Sequence, residues 1–372
     1  MPNTLLLGAI VPTIASCTSV PESGAGSGAA DPDAAAPITL KVHHFLPSTS
    51  TTHAQLLEPW AEAVETDSQG RIQVEVYPSM QLGGKAPQLY DQAKDGVVDA
   101  VWTLTGYTPG RFPLVEVFEL PFVADPSAEV TSQAIQDFSE QYLTAEFAEV
   151  KPLAFHVHAP GSFHMNGTTI ASLEDLKGVK VRAPSRISNR TLELLGATPV
   201  GMPVPEVPES LSRRVIDGAL LPYEVTQALK VHELTDSHTE IVGDWGLYTA
   251  VFLFAMNRDT YEALPPDLQA VIDDNSGLAL AKRAGQLWDV EEVKGREAAA
   301  ALNHEFYQIS GSELARWQRM AEPVITEWAA TATEAGADAE LLLSEMRRLV
   351  AEYGQAAAED TPGVDAEGVT AP

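Results

Sequence analysis

Cysteine is almost missing from the sequence, since Cys17 is the only one among 372 residues. A single thiol cannot form an intrachain disulfide, a cysteine-built metal centre or a dithiol redox pair. Basic residues are also scarce, because 23 Lys and Arg stand against 52 Asp and Glu, which gives a formal net charge of −29. A surface of this sign repels phosphate backbones, so nucleic-acid binding is disfavoured. It leaves the ligand open, because a few buried basic groups can still hold an anion.

Long apolar runs and catalytic motifs are missing as well. No stretch beyond Cys17 approaches the roughly 18–20 consecutive apolar residues of a membrane-spanning helix. The patterns G-x-S-x-G, H-E-x-x-H and G-x-G-x-x-G do not occur in a supporting context, and there is no phosphate-binding G-x-x-x-x-G-K-[ST] loop. His43, His44 and His53 have no carboxylate among them and make a poor metal site. We therefore expect no enzyme activity, no cofactor and no bound metal.

The N-terminus predicts export and a lipid anchor. An apolar run over residues 5–14 leads to the segment IASC at 14–17, which resembles a bacterial lipobox with Cys17 as the lipidated residue. Residues 1–17 are thus predicted to be a lipoprotein signal peptide with its lipidation site. The exported protein is expected in the periplasm or at the outer face of the cytoplasmic membrane, held by the lipid. Residues 18–37 are rich in Ala, Gly, Ser, Pro and Asp and predict a flexible tether. The first four residues lack the usual Lys or Arg, so an apolar segment with a chance cysteine stays the alternative.

From Ile38 onward, strand and helix patterns alternate. Period-two apolar residues predict strands, and 3.6-residue periodicity predicts helices between them, which together indicate an α/β fold. The length allows two cores of ordinary size. We predict strands over 38–42, 71–77, 97–104, 152–157, 179–182, 215–221 and 248–256, and helices over 53–67, 87–95, 188–195, 207–214 and much of 266–353. The expected division is lobe 1 over 38–160 with about 250–285, lobe 2 over 161–249 with about 286–355, and an acidic tail over 356–372.

The segment LEDLKGVKVR at 173–182, followed by Ala183 and Pro184, resembles the most recognisable motif of the substrate-binding proteins of tripartite ATP-independent periplasmic (TRAP) transporters. Further stretches agree in order and spacing. They are YPSMQLGG at 77–84, DGVVDAVWT at 95–103, ELPFV at 119–123, LGATPVGMP at 195–203, VIDGALLP at 215–222 and ALPPDLQAVI at 263–272.

The resemblance implies a two-lobed periplasmic-binding-protein-like α/β fold with a ligand cleft between the lobes and C-terminal helices. The cleft would close on one small molecule, often a carboxylate. The loaded receptor would then dock on the small and large membrane subunits of a TRAP permease driven by an ion gradient. A binding lipoprotein of an ATP-driven importer or of a sensor, recognising an amine or a polyhydroxy compound, is the alternative function.

Arg182 is the first candidate for ligand contact. It ends a predicted strand, where open α/β sheets place ligand-facing groups, and its guanidinium can hold a carboxylate through two parallel hydrogen bonds. Many relatives carry a second arginine where this chain has Ser162, so a two-arginine clamp is not expected. Relatives also often have an amide where this chain has Leu220 and Leu221, which predicts a less polar wall.

The remaining candidates supply aromatic walls or polar contacts. Trp102 lies near the end of the strand predicted over 97–104 and Tyr107 follows it, and aromatic rings at a cleft mouth give apolar surface. A monocarboxylate or a zwitterion is the favoured ligand, and a carboxylate such as Glu224 could receive an amine or a hydroxyl. The full set of predicted substrate-binding residues is Arg182, Trp102, His44, Tyr107, His164, Glu224, Tyr223 and Trp245.

Overall fold

A computed structural model of the chain describes residues 36–360. The predicted signal peptide and lipidation site at Cys17, nearly all of the tether and residues 361–372 of the tail lie outside this range. Within it, the chain forms two mixed β-sheets, one of five strands and one of six, and α-helices cover them. No helix among residues 36–360 combines the length and the apolar character that crossing a membrane requires.

The first sheet holds five strands in the order β2-β1-β3-β10-β4. The strands β1, β2 and β3 run parallel, while β10 lies antiparallel between β3 and β4. Every residue of β3 and β10 is buried, because these central strands are covered on both faces. The bounds are β1 (Ile38–His44), β2 (Ile72–Tyr77), β3 (Ala100–Leu104), β4 (Val150–Val157) and β10 (Val251–Asn257).

The second sheet holds six strands in the order β11-β9-β5-β8-β6-β7. Here β5 is the strand that runs antiparallel to both of its neighbours. The chain passes from the first sheet to the second between β4 and β5, and it returns between β9 and β10. The bounds are β5 (Ser162–Met165), β6 (Lys180–Ala183), β7 (Thr198–Gly201), β8 (Gly218–Leu221), β9 (Ser237–Ile241) and β11 (Glu305–Ile309).

The helices follow the strands in the alternation that the sequence predicts. Capping residues define the N-termini of several helices. At Ser185, for example, the side chain accepts a hydrogen bond from the Ser188 main-chain N–H. The bounds are α1 (Glu58–Asp67), α2 (Leu89–Lys94), α3 (Ala128–Tyr142), α4 (Arg186–Leu194), α5 (Val207–Ser212), α6 (Glu224–Ala228), α7 (Arg258–Ala263), α8 (Pro266–Asp274), α9 (Gly277–Ala301), α10 (Gly311–Glu334) and α11 (Ala339–Asp360). A π-helical segment, Thr52–Leu57, leads into α1.

Helix α9 is joined to helices that belong to both sheets. On one turn, the Asp289 carboxylate accepts hydrogen bonds from the N–H groups of Ala128 and Glu129 at the start of α3, which packs on β4. Three residues later, the Glu292 carboxylate accepts from the Glu224 N–H at the start of α6, which follows β8. Each carboxylate satisfies main-chain donors that a helix start leaves unpaired. Helix α9 therefore bridges the two lobes.

The C-terminal third contains one strand that was not predicted, and it differs from the expected division in two respects. Helices cover much of residues 266–353, as predicted, but β11 lies between α9 and α10 and pairs parallel with β9. Helix α11 continues through Asp360, so the segment from 356 to 360 is not part of a tail. Residues 286–355 do not all join the second lobe, since α9 and α11 both pack on α3. The apolar stripe of α11 is buried there rather than against the second sheet.

Candidate ligand cleft

A small cavity lies where the two sheets meet, lined by residues of both. Both lobes contribute to its wall, and most of the side chains are apolar or aromatic. The lining residues are Phe45, Leu46, Trp102, Leu104, Tyr107, His158, Arg182, Pro184, Val204, Leu221, Pro222, Glu224, Val225, Tyr248, Ala250, Phe252 and Trp288.

Arg182 is a buried cation, with 2% of its surface exposed. It lies in β6, and its Nε and Nη1 donate to the main-chain oxygens of Met202 and Leu220 at 3.0 and 3.1 Å. No carboxylate among residues 36–360 forms an ion pair with it. Burying an unpaired charge is costly, and the two neutral acceptors offset this only in part. The guanidinium, with five N–H donors in all, is thus prepared for an anion.

Three further polar side chains surround Arg182. The Tyr107 hydroxyl accepts from the Val204 N–H at 2.9 Å, and burial raises the pKa of Tyr107 although the nearby guanidinium acts in the opposite direction. Burial also raises the pKa of Tyr248, again against the charge of Arg182. Both phenols therefore stay neutral and can donate. The Tyr248 hydroxyl is buried and has no hydrogen-bond partner within the described part of the chain.

His158 also lines the cavity near Arg182, and its imidazole is neutral. Burial, followed by the positive charge of Arg182, lowers the pKa of His158 to about 4 even though a hydrogen bond to Ala159 opposes the shift. Its Nδ1 lies 2.5 Å from the Ala159 oxygen, and its Nε2 accepts from the Ala250 N–H at 3.1 Å. These partners fix the tautomer with the proton on Nδ1. His158 thus adds no second cation beside Arg182.

An aromatic wall faces the ligand space. Trp102 is fully buried in β3 and stacks on Phe252 of β10, with ring centroids 4.5 Å apart and planes inclined by 15°. Phe45 packs on the other side, with its centroid 5.1 Å from that of Trp102. The Trp102 indole N–H donates to His156 Nε2 at 2.9 Å, so this tryptophan offers its ring rather than its donor.

Glu224 and Trp288 place two unpaired polar atoms on the same cavity. Burial raises the pKa of Glu224 to about 7, against a hydrogen bond to Thr51, and its Oε1 has no partner among the described residues. The Trp288 indole N–H is likewise without an acceptor there. Trp288 precedes Glu292 by one turn of α9, and Glu292 holds the Glu224 N–H, so the two lining residues are neighbours.

The cavity brings together four of the eight residues predicted to bind ligand, namely Arg182, Trp102, Tyr107 and Glu224. The other four lie outside its lining because each has another environment. His44 Nε2 pairs with His53 Nδ1 at 3.0 Å, and His164 bonds to His238 and to the Leu221 oxygen. Tyr223 packs edge-on against His164 and donates to Glu240, while Trp245 is partly buried against the main core.

The predicted set of binding residues does not include three residues that line the cavity, Trp288, His158 and Tyr248. Tyr248 carried a signal in the sequence, because it stands among aromatic residues just before the strand that returns to the first sheet. Trp288 had no such signal, since it lies in a helical stretch far along the chain from the other lining residues. No group of three or more His, Cys, Asp or Glu within the described range is arranged to hold a metal ion.

Comparison with known proteins identifies the family to which this chain belongs. The model of the family described as bacterial extracellular solute-binding protein, family 7, matches residues 42–331. The chain belongs to this family. It is 24% identical over 314 residues to the C4-dicarboxylate-binding periplasmic protein DctP of Rhodobacter capsulatus, which covers 80% of this chain and 88% of that protein. The family assignment confirms the predicted TRAP receptor and its function in solute binding.

Two solved TRAP receptors resemble this one more strongly. A solute-binding protein from a marine metagenome, specific for aromatic acids and crystallised with 3-hydroxybenzoate, is 47% identical with a TM-score of 0.84. A protein from Rhodoferax ferrireducens, with copurified benzoate, is 45% identical with the same TM-score. Each comparison covers 86% of this chain and 99% of the other. These structures confirm the two-lobed α/β fold predicted for the TRAP receptor.

Proposed function

We propose that this TRAP receptor binds an aromatic monocarboxylate and delivers it to a membrane permease of small and large subunits. The observation that carries this proposal is a buried arginine that forms no ion pair within residues 36–360 and lines a cavity whose wall is largely aromatic. The two solved relatives described above support it, because both were obtained with aromatic carboxylates.

The charge balance of the cavity favours one carboxylate over two. Arg182 is its sole Lys or Arg among the described lining residues, and the pKa of His158 is held low enough to keep that ring neutral near pH 7. A second carboxylate would enter unpaired beside Glu224, and buried like charges repel strongly. Ser162, which occupies the position of a second arginine in many relatives, lies outside the lining. A monoanion therefore fits the site.

The walls favour a flat ring over a sugar chain or an aliphatic acid. Phe45, Trp102, Phe252 and Trp288 surround the space with ring faces and edges. Aromatic pairs gain about 0.5–1.5 kcal/mol beyond the area that they bury, because the edge of one ring is attracted to the face of another. A polyhydroxy acid would instead leave several hydroxyls against apolar surface without partners.

Calorimetric titration of the full-length protein tests the proposed ligand class. We expect benzoate to bind, and benzamide, which has the same ring without the charge, to bind at least about 30-fold more weakly because it cannot pair with Arg182. Cyclohexanecarboxylate keeps the charge but lacks the aromatic ring, so it is the matched control for the contribution of the aromatic wall of the cavity. Tighter binding of a dicarboxylate, a sugar acid or an amine than of every aromatic acid tested would contradict the proposal.

We also propose that the receptor is exported and anchored by a lipid on Cys17, on the strength of the IASC segment and the polar, small-residue tether that follows it. Most of the wild-type protein is expected in the membrane fraction of expressing cells. A Cys17→Ser variant should move to the soluble extracytoplasmic fraction. Metabolic labelling with a fatty acid gives an independent measure, and a wild-type protein that incorporates no label would exclude the anchor.

A further inference from the structure

Glu224 and Trp288 carry polar atoms on the cavity that an unsubstituted aromatic acid has no group to pair with. Trp288 is 1% exposed and Glu224 is 6% exposed, and both line the cavity. The indole N–H lacks an acceptor, and the Glu224 Oε1 lacks a donor, among all residues that the structure describes. A buried polar group without a partner is costly, so two such atoms on one cavity indicate a ligand group that completes them.

The chemistry of the two atoms restricts what that group can be. Trp288 Nε1 can only donate, so it needs an acceptor, while an ionised Glu224 needs a donor. An ammonium would satisfy Glu224 but would present hydrogens to the indole N–H. A second carboxylate would accept from the indole but repel an ionised Glu224. A hydroxyl both accepts and donates, so one oxygen can serve both residues. It also pairs with Glu224 in either protonation state.

These atoms belong to a region separate from the anion site. Arg182 is held by the main-chain oxygens of Met202, just after β7, and of Leu220 in β8, and it affects Tyr107, Tyr248 and His158 electrostatically. Glu224 and Trp288 reach the same cavity from α6 and α9, whereas Arg182 reaches it from β6. A ligand with its carboxylate on Arg182 would therefore turn another part of its ring toward Glu224 and Trp288.

From this arrangement, we infer that Glu224 and Trp288 form a hydroxyl-recognition subsite, and that the preferred ligands are ring-hydroxylated aromatic monocarboxylates. The inference rests on the proposed binding of aromatic monocarboxylates at Arg182. It makes Glu224 and Trp288 specificity-determining residues, which distinguish a hydroxylated ring from an otherwise identical one.

The test compares 3-hydroxybenzoate with 3-methylbenzoate, which matches its shape and charge but lacks the hydroxyl, by titration of the full-length protein. We expect the wild type to prefer the hydroxylated acid by about tenfold or more, because the methyl group leaves both polar atoms unpaired. The ammonium-bearing 3-(aminomethyl)benzoate should bind more weakly than the hydroxylated acid. Trp288→Phe and Glu224→Leu should each reduce the preference severalfold, while Glu297→Gln, at an exposed position of the same helix, should leave it unchanged.

The outcomes separate this inference from the proposed function. Equal affinity of the wild type for the two acids would overturn the hydroxyl subsite and leave an aromatic carboxylate receptor. A preference that persists in both cavity variants would also overturn it, because the hydroxyl would then be recognised elsewhere. Stronger binding of the ammonium-bearing acid would reassign the subsite to amines. Failure of every aromatic carboxylate to bind would instead reject the proposed function itself.

Discussion

Replacing Arg182 by alanine is expected to weaken aromatic carboxylate binding by about 2–5 kcal/mol, roughly 30- to 4000-fold, because the ligand anion would be buried without its cation. Calorimetric titration of benzoate measures this loss. Arg182→Lys should lie between the wild type and the alanine variant, since it keeps the charge but not the planar pair of donors.

The same substitution has a consequence for the empty protein that must be measured separately. The Arg182 side chain binds the main-chain oxygens of Met202 and Leu220, and its removal leaves two buried acceptors. The unliganded variant gains from losing an unpaired buried charge and loses these two hydrogen bonds, so its melting temperature is recorded alongside the titration.

Arg213→Ala is the matched control for the arginine substitution. Arg213 is exposed in the same lobe and pairs with Glu209 at 2.8 Å, so its loss should change benzoate affinity by less than twofold. If folded Arg182→Ala protein bound benzoate as the wild type does, the anion would not lie on Arg182 and the site would have to be placed elsewhere.

Gly285→Ala is expected to destabilise the protein by about 2–4 kcal/mol, although alanine is the better helix former by about 1 kcal/mol. Gly285 lies in α9 against the start of α3, where a Cβ atom would stand 2.4 Å from the Glu129 Cα and 2.7 Å from the Ala128 oxygen. These are main-chain atoms, and they cannot move aside without separating the two helices and lengthening the bonds from α3 to Asp289.

Gly354→Ala provides the same chemical change in α11 without the clash. Its Cβ would meet only Asp125 at 3.5 Å and Val130 at 3.9 Å, which are ordinary contacts. It should therefore be neutral or raise the free energy of unfolding by up to about 1 kcal/mol. Urea denaturation of both variants measures the difference. Equal stability of the two variants would show that α9 and α3 do not approach each other as closely as described.

The sequence predicted those parts of the site that local pattern specifies. Arg182 could be placed at the end of a strand because KVRA at 180–183 is apolar around one charge and stands within a recognisable motif. Trp102 lies in a strand whose residues are all buried, and its apolar run is visible in the sequence. In both cases the information needed lies within about ten residues of the side chain.

Other parts depend on contacts that no local pattern contains. The strand β11 has five residues between two long helices, and it exists because β9 offers a free edge about 65 residues earlier in the chain. Trp288 reaches the cavity only because Asp289 and Glu292 fix the rotation of α9 against α3 and α6. His164 was predicted as a ligand contact by its position beside Ser162, but a partner in β9, His238, takes its Nδ1.

The two carboxylates of α9 connect solute capture to the mechanics of the whole receptor. Asp289 and Glu292 are three residues apart, about 4.5 Å along the helix axis, and they grip opposite lobes. The pivot for any rotation between the lobes thus lies in one helical turn, and Trp288, at the start of that turn, also lines the cavity. A ligand in this cavity would contact the helix that joins the two lobes, so its binding would act on the angle between them.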